Sequence, residues 1–272
     1  MALSTKIGLL SLWVLVLAYF IVSILAVSIS APVGFIGVFV TFLFVVLHGS
    51  RFYGWKNIFV FIAITFAISW ILESLSIATG IPFGFYYYTG IGKIGEVPWI
   101  IMPAYLGTGY LSWIISHIFL SNYGQKVKGK EILLIPLIAS FIMVMWDLCM
   151  DPILSTIKGE WVWINVGYYF GVPLTNFIGW FVTVFLIYIV FALYISKFHK
   201  TQNKEWTNSK SFWLVVPLMY LGVAIQFLLY PFFVTTNQVI YWSIFLISIY
   251  TMGFVTFLSV IQVLKKSNLV VK

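Results

Sequence analysis

Three carboxyl groups stand in apolar surroundings in this sequence: Glu73, and the pair Asp147 and Asp151. Glu73 opens the stretch Glu73-Ser-Leu-Ser-Ile-Ala-Thr-Gly80-Ile-Pro-Phe-Gly-Phe-Tyr86-Tyr-Tyr88-Thr-Gly90, where an acid inside an apolar run is followed by a glycine–proline break and a loop crowded with aromatics. Its nearest basic residues in sequence are Arg51 and Lys56 upstream and Lys93 downstream. An acid in lipid-like surroundings without a local partner is costly, and is a functional candidate by default. Asp147 and Asp151, in Trp146-Asp147-Leu-Cys-Met-Asp151-Pro152, share one helix face at i, i+4. Two like charges that close cannot both ionise comfortably away from water, so one carboxyl keeps its proton. Pro152 biases Asp151 away from helical geometry, which predicts that the helix ends there and the pair loosens.

The chemistry open to such residues is acid–base chemistry. A carboxyl that stays protonated near neutral pH is a general acid, and a second carboxylate can take a proton from water. Motifs for other chemistries do not occur: the chain has no His-Glu-x-x-His, glycine-rich phosphate loop, Asp-rich diphosphate motif or nucleophile elbow. Metalloprotease, nucleotide-driven pump and metal-dependent prenyl transferase are thereby disfavoured, and no metal site is expected.

The elements that must position these acids are membrane spans. Of the 272 residues 62% are hydrophobic and 8% charged, against about 25% charged in a soluble domain. A spanning helix needs roughly 20 mainly apolar residues. Eight such runs can be drawn, at 7–29, 32–49, 57–79, 98–121, 131–152, 172–196, 211–230 and 238–264. The first two are joined tightly around Ser30-Ala-Pro32, and the first is read as a retained helix. The expectation is an all-α, polytopic integral membrane bundle of about eight helices, with 1–272 as a single membrane domain in the cell membrane.

The basic residues test this division. Lys6, Arg51, Lys56, Lys126, Lys128, Lys130, Lys197, Lys200, Lys204, Lys210, Lys265, Lys266 and Lys272 fall in one alternate set of connections, and only Lys93 and Lys158 in the other. A split of 13 against 2 predicts both termini cytoplasmic. The net charge of +8 is therefore a signal of membrane orientation, not of nucleic-acid binding. The same orientation puts Glu73, Glu96, Asp147, Asp151 and Glu160 at the non-cytoplasmic side. Cys149 is the one cysteine, so no disulfide forms within the chain.

The two outer connections, about 80–97 and 153–171, resemble each other: each follows a span ending in a carboxylate, is rich in glycine and aromatics, and leads to Val-Pro, at Pro98 and Pro173. This hints at a repeated two-helix unit. Tyr86, Tyr87, Tyr88, Tyr168 and Tyr169 suit either an interfacial aromatic belt or the wall of a cavity mouth. Thr175 and Asn176 could hydrogen-bond into the same outer cavity, although glue between helices is the commoner role of such residues, Gln226 included. His48 and His117 lie near the cytoplasmic ends of their spans and are expected at the interface.

Glu73-x6-Gly80-Ile-Pro-Phe-Gly84-x-Tyr86-x-Tyr88-Thr-Gly90, with Val97-Pro98 following, resembles the signature of the carotenoid hydratase family, the CruF-type membrane proteins that include bisanhydrobacterioruberin hydratase and the lycopene hydratases. So do Trp146-Asp147-x3-Asp151-Pro152, Gly-Glu-Trp-Val-Trp163, Tyr168-Tyr169-Phe-Gly-Val-Pro173 and Asn176-Phe-Ile-Gly-Trp180, and together they cover residues 70–182. The resemblance implies a cofactor-independent hydro-lyase that adds water to the terminal isopropylidene double bond of an acyclic C40 or C50 carotenoid. The polyene would enter from the bilayer, with membrane lipids and other carotenoid-pathway membrane enzymes as its surroundings. The expected catalytic groups are Glu73, Asp147 and Asp151: Glu73 or Asp147 as proton donor, Asp151 or the other as base for water. Tyr86, Tyr88, Trp146, Trp163, Tyr168, Tyr169 and Asn176 are expected around the substrate. A carotenoid end-group cyclase and a proton-coupled transporter are the alternatives.

Overall fold

The computed structural model describes residues 3–29, 34–124, 126–199 and 204–266. The joint at Ser30-Ala-Pro32 and both chain ends lie outside the described residues. The long helices are α1 (Leu3–Ser28), α2 (Gly34–Thr79), α3 (Ile101–Phe119), α4 (Glu131–Asp151), α5 (Leu174–Phe198) and α7 (Lys210–Phe233), with a short α6 (Lys204–Thr207) before α7. The last stretch runs as α8 (Gln238–Ser248), a π-helical turn (Ile249–Gly253) and α9 (Phe254–Lys265). Among the described residues six helical stretches are long and apolar enough to cross a membrane, so the protein is an all-α membrane bundle.

The count of eight segments follows from two departures from that simple picture. First, α2 has 46 residues, about twice one crossing. Where the sequence predicts two spans and a connection, the helix runs on, broken only at Gly54 with φ 79° and ψ 159°. That backbone region is essentially closed to residues with a Cβ, so Gly54 is what folds α2 into two legs. Second, α3 is less apolar than its neighbours because it does not face lipid. Every residue from Tyr105 to Ile118 is buried, and α3 packs against α2, α4, α7 and α9. A helix shielded by protein on all sides can carry Thr108, Ser112, Ser116 and His117, their hydroxyls or rings bonded to protein groups.

The histidines belong to this shielded core, and not to the interface expected for them. His48 Nδ1 lies 2.7 Å from the Tyr110 hydroxyl, His48 Nε2 lies 3.1 Å from the Phe212 carbonyl, and the ring stacks on Phe212 at 4.1 Å. His117 Nε2 pairs with the Tyr53 hydroxyl at 3.2 Å. Gln226 turns its amide to Val223 in its own helix, so it bonds along α7 and not between helices.

At the opposite end of the bundle the two outer connections meet. Strand β1 (Tyr86–Tyr88) pairs antiparallel with β4 (Trp161–Trp163), in the register Tyr86 to Trp163 and Tyr88 to Trp161. Ile164 N–H to the Phe85 carbonyl and Thr89 N–H to the Glu160 carbonyl extend the ladder at both ends. A second hairpin, β2 (Lys93–Ile94) with β3 (Val97–Pro98), closes the first connection. The two similar acid-plus-aromatic units are thus joined through their own loops.

The first connection also seats on α5. A Cβ at Gly179 would stand 2.7 Å from the Phe83 ring and 2.8 Å from the Pro82 carbonyl oxygen. The oxygen is backbone and cannot swing away. Gly179→Ala is expected to cost about 1–3 kcal/mol through overpacking, read as a lower melting temperature of the purified protein in detergent.

Candidate active site

Glu73 lies on the buried face of the second leg of α2, which carries Thr65, Ser69, Glu73 and Ser76. The carboxylate is 3% exposed and accepts three phenolic hydrogen bonds. Tyr86 and Tyr88 donate to Oε2, Tyr88 at 2.9 Å, and Tyr105 donates to Oε1 at 2.7 Å. The strand alternation explains the first two: residues i and i+2 share a face, so Tyr86 and Tyr88 turn inward and Tyr87 is exposed. The tyrosine run therefore divides between the buried site and the exposed surface. Burial first, then the charge of Glu73, pushes the Tyr86 and Tyr88 phenols well above the usual tyrosine range, which keeps both as donors.

The second unit holds the aspartates on α4. Both are buried, Asp147 completely. The Asn176 amide on α5 donates to both, at 3.1 Å to Asp147 Oδ2 and 2.5 Å to Asp151 Oδ2. Trp161 Nε1 donates to Asp151 Oδ1 at 3.1 Å. Asn176 is therefore the clamp of the pair, where its sequence context had suggested general helix glue.

Pro152 does not end the helix, and the pair is not loosened. Pro152 keeps helical angles (φ −57°, ψ −31°), and the chain continues as a π-helical turn, Pro152–Ile157. The missing proline N–H would have bonded the Leu148 carbonyl four residues back. The Tyr169 hydroxyl takes its place, donating to that carbonyl at 2.9 Å. Tyr169 is thus a support of α4. Tyr168, its neighbour, is fully exposed.

An aromatic wall joins the units. Trp163 lies on the Tyr86 ring (4.9 Å, 55°) and Tyr88 meets Trp161 edge-on at 5.9 Å. Trp180 stacks on Tyr105 (4.1 Å, 10°) and takes Trp146 edge-on at 5.7 Å. Tyr105, Trp161 and Trp180 were not among the residues expected at the site. Trp161 lies two positions from Trp163 on the same strand face, and Trp180 four from Asn176 on the same helix face, so spacing carried a signal for both. Nothing local to Tyr105 marks it, since its partner is 32 positions away.

No basic residue balances these acids among the described residues. Lys93 Nζ donates to the Tyr88 carbonyl at 2.8 Å and sits 3.7 Å from Glu96. Lys158 Nζ donates to the Tyr230 hydroxyl at 3.2 Å. The three carboxyls lie within range of one another's charge. Their hydrogen bonding differs: Glu73 accepts three donors and Asp151 two, whereas Asp147 accepts one, and its buried Oδ1 has no partner. Donors favour the charged form of an acceptor, and a bare oxygen in an apolar site favours the neutral form. Among the described residues no group of three or more His, Cys, Asp or Glu is placed to hold a metal ion.

No curated protein and no solved structure matches the chain. A family model described as carotenoid biosynthesis protein matches residues 31–253. That span includes both legs of α2, both outer loops and every residue around the three carboxyls, and by it the chain belongs to the carotenoid biosynthesis protein family.

Proposed function

We propose that the protein is a carotenoid hydratase, adding water to the terminal isopropylidene double bond of an acyclic carotenoid. The observation that carries this reading is the unequal hydrogen bonding of three buried, uncompensated carboxyls beside an aromatic wall. Asp147, with Oδ1 bare, is the proton donor. Its proton goes to the less substituted alkene carbon, and the π electrons form the new C–H bond. The tertiary carbocation left behind meets the faces of Trp146, Trp180 and Trp163. Glu73, held as a carboxylate by three phenols, supplies the negative charge that a cation in a water-poor site needs.

Water then forms the C–O bond and loses its proton to Asp151. The Asn176 amide holds Asp151 and Asp147 together by one nitrogen, so that proton is returned over a short distance and the site is reset. Nothing is oxidised or reduced. The substrate reaches the site from the bilayer of the cell membrane, since a polyene of this size does not dissolve in water.

The test is the mass of carotenoids extracted from a host that makes an acyclic carotenoid and expresses the protein. The expected result is a product heavier by one water for each modified end. Cyclisation would give an isomer of unchanged mass, and transport would give no new product, so either outcome overturns the reading.

A further inference from the structure

We infer that the indole N–H of Trp163, acting with Asp151, is the seat of the water that captures the cation; this deepens the hydratase reading and rests on it. The two tryptophans of β4 project from the same face, yet they are used differently. Trp161 Nε1 is bonded to Asp151 Oδ1. Trp163 Nε1 is buried and has no hydrogen-bond partner, although the indole is only 7% exposed and faces Asp151 without closing a bond of normal geometry.

Buried indole N–H groups in folded proteins nearly always find an acceptor. One left over beside a carboxylate is matched by a molecule that both accepts and donates, and water does so. In this seat the water accepts from Trp163 Nε1 and donates to Asp151, which leaves a lone pair for the carbon. The Trp163 ring lies on Tyr86, which bonds Glu73, so the seat borders the part of the site where positive charge develops. When the C–O bond forms, the water's proton passes to Asp151, and no other reactant is needed.

A hydratase and an enzyme that only protonates the alkene part at this step. Without a seated water the cation returns a proton to Asp147 and regenerates an alkene. The variant Trp163→Phe keeps an aromatic ring against Tyr86 and removes the N–H donor together with part of the indole face. Membranes carrying each protein are incubated with an acyclic carotenoid in deuterium oxide. The ratio of hydrated product to unhydrated carotenoid that has gained deuterium at its end group is then read by mass. This ratio describes turnovers and is independent of how much variant folds.

The wild type is expected to give mainly hydrated product. Trp163→Phe is expected to lower the ratio roughly tenfold, the scale of one lost hydrogen bond, with exchanged carotenoid accumulating instead. A wild-type ratio in the variant overturns the inference, as does loss of both products together, which would place Trp163 in protonation or in folding. A wild type that forms no hydrated product would instead overturn the hydratase reading itself.

Discussion

Asp147→Asn is expected to lower the hydrated carotenoid in cell extracts by about 10²- to 10⁴-fold, the range for removing a positioned general acid, while leaving the melting temperature nearly unchanged. The second half of that expectation separates a proton donor from a structural acid. A carboxyl that already carries its proton is close in shape and charge to an amide. The amide oxygen can still accept from Asn176, which now bonds Asp147 Oδ2 at 3.1 Å. The amide nitrogen would occupy the position of Oδ1, which has no partner to lose. The site would keep its shape and lose only the acidic proton. The check is product yield from extracts alongside thermal unfolding of the purified protein. Unimpaired hydration would remove Asp147 from the chemistry, and a large fall in melting temperature would mean that the group is charged in the resting protein.

Glu73→Gln is expected to behave differently, with product falling by about a hundredfold and stability falling as well. The carboxylate accepts from Tyr86, Tyr88 and Tyr105. An amide offers one accepting oxygen, and its nitrogen is a donor facing a donor. At least one buried phenol then loses its acceptor, at about 1–3 kcal/mol. The same substitution deletes the negative charge that the proposed mechanism sets against the carbocation. A combined loss at Glu73 and an activity-only loss at Asp147 would assign the two roles; the reverse pattern would exchange them. The measurements are the same extract masses and melting curves, with Tyr105→Phe as a milder companion that removes one donor only.

Much of the site could be read along the chain because short-range geometry carries it. Asp147 and Asp151 share a face by the helical repeat, and Tyr86 and Tyr88 share one by the strand repeat. The aromatic loops announce an interface by composition, and an isolated Glu73 in an apolar run is informative by its cost alone. The reading failed where a local rule met a tertiary answer. Pro152 argues for a helix end, yet Tyr169 supplies the Leu148 carbonyl with the donor that proline lacks. His48 and His117 sit near the predicted ends of spans, yet α3 is enclosed by protein and takes them into its core. The division between the spans 32–49 and 57–79 was legible in hydropathy, and the structure adds that the helix runs through it and turns at Gly54 alone.

By itself the sequence determined the membrane class, the approximate course of the eight segments, and which acids stand unpaired, because hydropathy, periodicity and the cost of burying charge are properties of neighbours along the chain. Only the tertiary structure decided how the acids differ. Tyr105 reaches Glu73 from another helix, Asn176 binds both aspartates from a fourth, and the pairing of β1 with β4 sets Trp161 on Asp151 while leaving Trp163 without a partner. Hydrogen-bond partners fix whether a buried carboxyl holds its proton, and those partners come from distant segments that no spacing rule relates.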